Sequence, residues 1–550
     1  MARYALGLDY GTGSVRALLV DLDTGAETAQ AVAAYAHGED GVLGDGGDPD
    51  VARQHPPDYV AALRGVVPAA MAEAGAAPGD VVGIGVGATG STPIPVDRTG
   101  LALAEHAEFR DEPAAQAWLW KDHTAQAEAD EITALAMRLR PEYAARVGGR
   151  YSAEWFWAKI LRCLRTTPRV FERAWSWVEA CDFVPAYLTG ERDPERLARS
   201  VCAAGHKALF AADWGGLPDS EFLAALDPAL ARLRKRLGAG TAHCAERAGT
   251  LVAPIADALG LRSGTPVAVG ALDAHLGAIG AGIRPGDLVK VIGTSSCDMA
   301  VAEPSATMPS AAGLCGIVRD SIVPGLLGFE AGQPAVGDLF AWCARALNRA
   351  DIDVLTGQAA RLRPGASGLL ALDWHNGNRC VLADPALSGL VVGLGLQTTD
   401  AEIYRAMLEA TAFGARMIVE RLLALGVPID AVIAAGGVAG KSPLLMQILA
   451  DVFARPIKIA ASAQASALGA AICGAVVGGA FPDVPTAQRA LVRAPITVYE
   501  PTAAVSETYA TLFGLYSRLQ DIFGTTAGTT AGATGDVMKA LLRVRQAARR

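Results

Sequence analysis

The sequence lacks any pair of cysteines at C-x-x-C spacing, and its nine cysteines are odd in number and scattered over 550 residues. This pattern indicates neither a zinc site nor the disulfide framework of a small secreted protein. It also lacks a long basic stripe, and its formal net charge of -9 argues against nucleic acid as the main partner. We therefore expect a protein of the reducing cytoplasm that binds no nucleic acid.

Long apolar runs are missing as well. No uninterrupted apolar run reaches about 20 residues, the length that a transmembrane helix needs. The first apolar run is broken at Asp9, too early for the hydrophobic region of a secretory signal peptide. With 51% hydrophobic and 19% charged residues, the composition predicts a globular protein with at least two large domains and no membrane contact.

Two strand–turn–strand elements rich in glycine and hydroxyl groups recur in the chain. The first joins strands predicted at 3–8 and 15–21 through Asp9 and the turn Gly11-Thr12-Gly13-Ser14. The second joins strands predicted at 288–292 and 297–301 through Gly293-Thr294-Ser295-Ser296. Glycine lets the backbone approach an anion, and hydroxyls add donors. Either turn alone is typical of a hairpin, but the pair predicts a duplicated domain with one phosphate-binding turn from each half.

Asp273 follows an apolar run at 266–272 that contains β-branched Val267 and Val269. This run predicts a buried strand with the acid at its carboxyl end, where open α/β sheets bind ligands. An acid after a strand is more often the N-cap of the next helix than a catalyst. The residues alone leave both roles open.

Further candidate binding residues lie near other predicted strand ends. The strand predicted at 81–86 opens into a small-residue turn with Gly90 and Ser91, although a tight connection has the same composition. Lys207 follows a loop, where most lysines are exposed. Glu330 and Gln333 lie among glycines and apolar residues, a setting typical of a paired buried group or a cleft wall.

A glycine-rich turn at 436–441 joins a strand predicted at 431–435 to a helix that begins at Pro443, with Ser442 as the predicted N-cap. Strand, glycine turn and helix N-terminus can bind a nucleotide, but this sequence is also typical of a plain α/β connection. Gly437 and Ser442 are the candidate residues here.

The remaining pattern predicts several elements. Residues 26–57 predict a surface excursion, and 112–139, 151–165 and 178–189 predict helices. A helix predicted at 399–425 begins with a Thr399/Glu402 capping box and ends before Gly426. Residues 525–536, TTAGTTAGATGD, are typical of a flexible linker.

Several of these motifs together resemble the FGGY carbohydrate kinases: DYGTGSVRALLVD, LWKDHTA, GGRYSAEWFWAKIL, AGHKALF, LDAHLGAIGAG, KVIGTSSCD, FEAGQ and AAGGVAGKS. The matches extend over about residues 4–475. The resemblance implies an α/β fold of two actin-like ATPase (ribonuclease H-like) domains with a cleft between them. It implies an N-terminal sugar-binding domain at 1–283, a nucleotide-binding domain at 284–490 and a C-terminal helical extension at 491–550.

The resemblance also implies an activity and a set of roles. AGHK and WFWAKIL resemble the branch that phosphorylates L-ribulose to L-ribulose 5-phosphate with ATP and Mg²⁺ in L-arabinose catabolism. By resemblance, Asp273 is the general base, and Asp9 with Asp273 holds Mg²⁺. The implied sugar contacts are Gly90, Ser91, Lys207, Asp273 and Glu330. The implied nucleotide contacts are Gly11, Thr12, Gly13, Ser14, Gly293, Thr294, Ser295, Gln333, Gly437 and Ser442. A homodimer is expected.

Two alternatives remain at this point. Gly87 stands where relatives of this branch often have an acid, so the sugar-side turn and the substrate can differ: D-ribulose, D-xylulose and ribitol are candidates. A non-metabolic ATPase on the actin-like scaffold is the second alternative. The set Lys207, Asp273 and Glu330 argues against it, since such a switch needs no base for a sugar hydroxyl.

Overall fold

The structure, a computed structural model, describes residues 3–44, 47–238, 240–305, 308–347, 351–524, 537–541 and 543–544. Its strands, in chain order, are β1 (Tyr4–Tyr10), β2 (Ser14–Asp21), β3 (Glu27–Ala34), β4 (Arg53–Gln54), β5 (Val81–Ala88), β6 (Pro93–Val96), β7 (Ala117–Trp118), β8 (Ser176–Glu179), β9 (Arg247–Thr250), β10 (Pro266–Ala268), β11 (Ala271–Leu272), β12 (Gly286–Ile292), β13 (Ser296–Ala302), β14 (Gly316–Arg319), β15 (Leu327–Ala331), β16 (Leu370–Leu372), β17 (Leu390–Val392), β18 (Ile429–Ala435), β19 (Ile457–Ile459) and β20 (Thr497–Tyr499).

Its main α-helices are α1 (Pro56–Ala74), α2 (Gln126–Leu139), α3 (Pro141–Arg146), α4 (Phe156–Thr166), α5 (Pro168–Arg173), α6 (Ala180–Thr189), α7 (Val201–Lys207), α8 (Ser220–Leu226), α9 (Pro228–Arg234), α10 (Ala253–Leu259), α11 (Asp273–Gly280), α12 (Gly337–Ala346), α13 (Ile352–Ala360), α14 (Asp400–Ala424), α15 (Gly437–Lys441), α16 (Pro443–Phe453), α17 (Ala465–Val477), α18 (Val484–Leu491) and α19 (Ala503–Gly524). Among the described residues, we find no helix with the length and apolar character that crossing a bilayer requires.

Two large mixed sheets repeat one topology. The first has the order β3-β2-β1-β5-β10-β9, with β11 also paired to β5, and the second has the order β14-β15-β13-β12-β18-β19-β20. In each, an antiparallel hairpin (β1–β2 or β12–β13) is followed by parallel strands (β5 and β10, or β18 and β19). The structure thus contains the internal duplication that the two turns predict.

Two helices, α11 and α17, pack against each other between the sheets, and α17 lies on β1 and β5 of the first sheet. Glycines make this close approach sterically allowed. A Cβ atom at Gly7 would lie 1.9 Å from the carbonyl oxygen of Ala467, and one at Gly85 would lie 1.8 Å from that of Ala470. Any side chain at these strand positions would push α17 away. The Ala/Gly-rich sequence of α17 allows this close packing on the first sheet.

The segment 26–57 is not only a surface excursion. Glu27–Ala34 forms β3, which pairs antiparallel with β2 at the edge of the first sheet, and Arg53–Gln54 forms β4. β3 is half exposed and rich in alanine, so its alternation of polar and apolar residues is weak. Pairing with β2, rather than local propensity, determines this strand.

Three predicted helices begin later than expected. In the segments at 112–139, 151–165 and 178–189, the helices begin only at Gln126, Phe156 and Ala180. The preceding residues pair with distant strands or form loops: β7 pairs with β4, and β8 pairs with β6. Long-range pairing overrides helix propensity in the first and third segments, and sequence periodicity does not register such contacts.

The capping box of α14 is confirmed, since the Thr399 hydroxyl accepts from the Glu402 N–H and the Glu402 side chain accepts from the Thr399 N–H. Ser442 precedes α16, but its side chain makes no cap hydrogen bond. The predicted linker at 525–536 lies outside the described residues. The domain limits at 283 and 490 stay predictions. β20 joins the second sheet beyond residue 490, and α17, although C-terminal to 283, packs on the first.

Candidate active site

A cleft of about 230 Å³ opens between the two halves where the carboxyl ends of β1, β5, β11 and β12 approach one another. Residues from both halves line it: Thr12, Thr89, Gly90, Trp120, Ser152, Glu154, Trp155, Lys207, Asp273 and Ala274 from the first, and Val291, Gly293, Thr294, Ser295, Cys297, Cys315, Glu330, Arg379 and Ser466 from the second. The cleft therefore brings together half of the sixteen site residues that the sequence predicts, including Lys207, Asp273 and Glu330.

The first glycine turn joins β1 to β2 and is held in place by hydrogen bonds within the turn and from two neighbouring side chains. The Gly11 N–H donates to the Ser14 carbonyl at 2.9 Å, and the Gln54 side chain donates to the carbonyls of Gly11 and Thr12 at 3.2 and 2.7 Å. The Trp120 indole N–H donates to the Thr12 hydroxyl at 3.1 Å. Thr12 lines the cleft; Gly11, Gly13 and Ser14 belong to the same turn without lining it.

The second turn joins β12 to β13, and Gly293, Thr294 and Ser295 all line the cleft. The N–H groups of Val336 and Gly337, at the start of α12, donate to the carbonyls of Thr294 and Gly293 at 2.8 and 3.1 Å. Because these carbonyls point toward α12, the opposite face of the turn, which carries the hydroxyl groups, faces the cleft. Such a turn suits an anion.

Two acids meet at the strand ends between these turns. Asp273 is the first residue of α11 and not its N-cap, which is Leu272; its Oδ1 accepts from the Ala274 N–H at 2.7 Å. Asp9, at the end of β1, accepts from Arg16 at 3.1 Å through Oδ2, while its buried Oδ1 has no hydrogen-bond partner. Burial, reinforced by the charge of Asp9, raises the pKa of Asp273 to about 7. Burial also raises the pKa of Asp9.

This raised pKa gives a testable dependence of stability on pH. Folded Asp273 holds its proton up to about pH 7, whereas its ordinary pKa is 3.8, so the folded state loses stability as the pH rises between these values. Asp273→Asn removes that loss. In metal-free buffer we expect the melting temperature of the variant to exceed that of the wild type by a few degrees at pH 8, and this excess to shrink steadily as the pH falls toward 3.8. A difference in melting temperature that is constant across this range would contradict the assignment.

Lys207 and Glu330 form a buried ion pair that also lines the cleft. Lys207, the last residue of α7, places its Nζ 2.6 Å from Oε1 of Glu330 on β15 and 5.4 Å from the centre of the Trp155 ring. Burial opposes both charges, but each charge stabilises the other, so the pKa of Lys207 is raised and that of Glu330 is lowered to about 2. Both side chains are therefore ionised, and both line the cleft as fixed hydrogen-bonding groups.

Two histidines that the sequence did not single out lie beneath this pair. His206 Nδ1 and His275 Nε2 lie 3.3 and 3.5 Å from Oε2 of Glu330, and their rings are 4.7 Å apart. Burial lowers the pKa of His206 well below its ordinary value and that of His275 to about 4. Both imidazoles are thus neutral at physiological pH.

Two predicted ligand contacts have side chains bonded inside the protein. The Ser91 hydroxyl donates to Oε1 of Glu179, and the Ser91 carbonyl accepts from buried Lys159 at 2.8 Å. Gln333 donates to Asp373 at 2.8 Å and accepts from Lys290 at 3.0 Å. Neither residue is among those that line the cleft, whereas Gly90 is. In this structure, the side chains of Ser91 and Gln333 therefore bond to buried protein groups beside the cleft instead of lining it.

Gly437 and Ser442 lie apart from the residues that line the cleft. They bracket the short helix α15 at the carboxyl end of β18, and α15 packs on β12 and β18. Gly437 is exposed and Ser442 is half-buried. Their place beside β12, which leads into the second turn, is compatible with a nucleotide that extends from that turn.

Arg379 and Glu154 are site residues that sequence reasoning missed. Arg379 donates to Oε1 of Glu154 at 2.9 Å across the cleft, although the two are 225 residues apart. Burial works against the charge of Glu154, yet Arg379 and His123 lower the pKa of this carboxyl. No local pattern marks Arg379, since its role depends on a partner in the other half of the chain.

The FGGY family of carbohydrate kinases matches both halves of the chain: the sequence model of its N-terminal domain matches residues 4–280, and that of its C-terminal domain matches residues 288–477. The chain belongs to this family. The resemblance in the motifs is thereby confirmed, and the chain is a carbohydrate kinase.

The similarity to known proteins extends over the full length of the chain. Proteins named ribulokinase from Shouchella clausii and Geobacillus thermodenitrificans are 42% and 40% identical to this chain; each alignment covers 100% of the chain and 99% or 98% of the relative. A solved xylulose kinase from Rhodospirillum rubrum is 27% identical, with a TM-score of 0.78 over 94% of this FGGY kinase and 98% of that chain. The predicted fold class, two actin-like ATPase domains, is confirmed.

Proposed function

We propose that this FGGY kinase transfers the γ-phosphoryl group of MgATP to the 5-hydroxyl of L-ribulose, giving L-ribulose 5-phosphate and ADP. The observation that carries the proposal is the placement of Asp273 between hydroxyl-rich turns from both halves, in one cleft with the ionised Lys207–Glu330 pair. Full-length identity to proteins named ribulokinase supports L-ribulose as the sugar.

Asp273 acts as the general base. Its carboxylate accepts the proton of the sugar hydroxyl while the hydroxyl oxygen forms a bond to the γ-phosphorus. The bond from that phosphorus to the β-phosphate oxygen breaks, and ADP leaves with the electron pair. A base works best when its pKa lies near the operating pH, and the pKa of Asp273, raised by burial to about 7, meets this condition.

The two turns bind the phosphates. Thr12 from the first half, with Thr294 and Ser295 from the second, offers hydroxyl donors to the cleft, and the turns add backbone N–H groups. Because the turns are anchored from behind by Gln54, Trp120 and α12, these donors hold their positions before the nucleotide binds. Fixed donors stabilise the charge that develops on the transferred group.

Asp9 and Asp273 fit a divalent cation. Asp9 has a buried carboxylate oxygen without a hydrogen-bond partner, and the charge of Asp9 raises the pKa of Asp273. Paired carboxylate oxygens are the ligands that Mg²⁺ prefers, often through water. Bound there with ATP, Mg²⁺ would neutralise phosphate charge.

Lys207 and Glu330 bind the sugar hydroxyls. The ammonium donates, the carboxylate accepts, and both are held in one geometry by their mutual bond and by the Trp155 ring. Charge-assisted hydrogen bonds of this kind select for hydroxyl configuration. These side chains therefore determine which sugar binds, while the turns determine which donor binds.

A kinase for D-ribulose, D-xylulose or ribitol is the runner-up. Gly87 lies within β5, paired with Asp9 and Ala271, and not in the turn that follows. A Cβ at this position would lie 3.8 Å from the Asp273 Cα. The absence of an acid at 87 therefore alters the surroundings of the base more than the sugar-side turn. The full-length relatives named ribulokinase do not favour this alternative.

ADP release coupled to a reporter enzyme tests the proposal. With purified protein and MgATP, we expect turnover with L-ribulose to exceed that with D-ribulose, D-xylulose and ribitol by at least tenfold in kcat/KM. Phosphate at the 5-position would be verified by NMR of the product. Faster turnover with another sugar would change the substrate, and ADP release that no sugar stimulates would overturn the kinase chemistry at this site.

We also propose a cytoplasmic location, which the nine free cysteines support because disulfides are rare in that compartment. The homodimer stays a prediction.

A further inference from the structure

Helix α19 follows the segment that matches the family's C-terminal domain and lies across α14, α16 and β16 of the second half. It carries two tyrosines, Tyr509 and Tyr516, that are both 0% exposed. They are two helical turns apart and so share one face. A helix held only by apolar contacts would not need to bury two phenol groups.

Tyr516 begins a continuous chain of buried hydrogen bonds. Its hydroxyl donates to Oδ1 of Asp373 at 2.7 Å, and Oδ2 of Asp373 accepts from Nε2 of Gln333 at 2.8 Å. Oε1 of Gln333 accepts from Lys290 Nζ at 3.0 Å, and this ammonium donates to the Ser296 hydroxyl at 2.9 Å. Ser296 is the residue directly after the cleft-lining residues of the second turn.

The direction of each bond in this chain is determined. Asp373 can only accept when ionised, so both its neighbours must donate. Gln333 Nε2 also donates to the Thr411 carbonyl, which fixes its amide so that Oε1 faces Lys290. Lys290 uses its remaining donor on Asp298. No member can rotate without leaving a buried polar group unpaired, and such a loss is costly.

The chain also reaches the backbone of the turn. The Ser296 N–H donates to the Gln333 carbonyl at 2.9 Å, and the Gln333 N–H donates to the Ser296 hydroxyl at 3.2 Å. Gln333 is therefore locked to Ser296 on both sides. Its orientation, and with it the C-terminal end of the second turn, depends on Asp373 and Tyr516.

We propose that Tyr516 is a positioning residue for the nucleotide, which acts from α19 through Asp373 and Gln333 on the second phosphate turn. The inference rests on the proposed function, in which that turn binds ATP. Helix α19 then contributes to nucleotide affinity although its residues are not among those that line the cleft.

Tyr509 provides a matched control on the same helix. Its hydroxyl donates to Glu409 at 2.9 Å and accepts from Arg405 at 2.6 Å, and neither partner bonds to the Tyr516 chain. Tyr516→Phe and Tyr509→Phe each remove one buried phenol group. Both should lower the melting temperature to a similar degree. If the only role of Tyr516 is structural, the two variants should therefore have equal effects on nucleotide binding.

The readouts are the Kd of MgADP by calorimetry and separate KM values for ATP and L-ribulose. We expect Tyr516→Phe to weaken MgADP and raise KM for ATP by about 3- to 10-fold, the scale of one lost hydrogen bond, with KM for L-ribulose unchanged. Tyr509→Phe should leave these values at the wild-type level. Equal effects from the two variants, or an equal loss for ATP and sugar, would overturn the proposal.

If Tyr516→Phe does not fold, variants of Asp373 test the same hydrogen-bonded chain. Asp373→Asn retains the chain, because the amide can accept from Gln333 and donate to the phenol oxygen, whereas Asp373→Ala breaks it. We expect near wild-type MgADP affinity in the first and a loss like that of Tyr516→Phe in the second. Loss in both, or in neither, would contradict the proposal.

Ser295→Asp separates the two hypotheses, since a carboxylate in the turn would repel phosphate. If it leaves MgADP binding unchanged, the turn does not bind nucleotide and the proposed function fails there. If it abolishes binding while Tyr516→Phe behaves like Tyr509→Phe, only the role of Tyr516 fails.

Discussion

Asp273→Asn should retain MgADP binding and lose roughly two to four orders of magnitude in kcat, the scale of a lost general base. The amide keeps the shape of the carboxylate, and its oxygen can still accept from the Ala274 N–H at the start of α11. It cannot accept the proton of the sugar hydroxyl. The expected loss therefore falls on the chemical step rather than on folding or on binding.

The measurement is single-turnover phosphate transfer with L-ribulose, with MgADP affinity by calorimetry on the same preparation. Asp287→Asn is the matched control. Asp287 is also a buried acid whose pKa burial raises, but it lies at the opposite end of β12 from the second turn and pairs with Arg284 at 3.2 Å. We expect its turnover to stay within about twofold of the wild type, since Asp287 is not among the residues that line the cleft. A kcat of Asp273→Asn near that of Asp287→Asn would rule out Asp273 as the base.

The parts of the site that could be predicted from sequence are those marked by a local pattern of residue types. Glycine and hydroxyl residues between two apolar runs mark Gly11–Ser14 and Gly293–Ser295 as turns at strand ends, and Asp273 follows a run of strand type. Because the carboxyl ends of adjacent strands meet at one edge of a sheet, these segments converge in the cleft. Their repetition at the start of each half also predicts the duplicated fold.

The features that local sequence pattern leaves undecided or does not reveal depend on distant partners. Gln333 lies among glycines, a pattern that suits a cleft wall and a buried hydrogen-bonded chain equally, and only Asp373 and Lys290 decide between the two. Arg379 and Glu154 approach each other across 225 residues. The strand β3 is set by pairing with β2 rather than by its alanine-rich sequence. Such contacts have no period in the sequence that could reveal them.

Lys207→Met should lower kcat/KM for L-ribulose by roughly two to three orders of magnitude, since hydrogen bonds to charged groups each contribute roughly 1.5–3 kcal/mol. It should also destabilise the fold. The variant leaves Glu330 buried without the ammonium that now lies 2.6 Å away, and breaking such a pair costs roughly 3–5 kcal/mol. The single variant therefore mixes a binding effect with a folding effect.

The double variant Lys207→Met/Glu330→Gln separates these effects. It removes both charges, and the two neutral imidazoles of His206 and His275 remain compatible with an amide at 330. We expect its urea midpoint to recover toward the wild type, because no unpaired charge is left in the interior. Its kcat/KM for L-ribulose should stay as low as in Lys207→Met, with KM for ATP unchanged. If sugar turnover recovers together with stability, the pair serves folding alone and the sugar is bound elsewhere in the cleft.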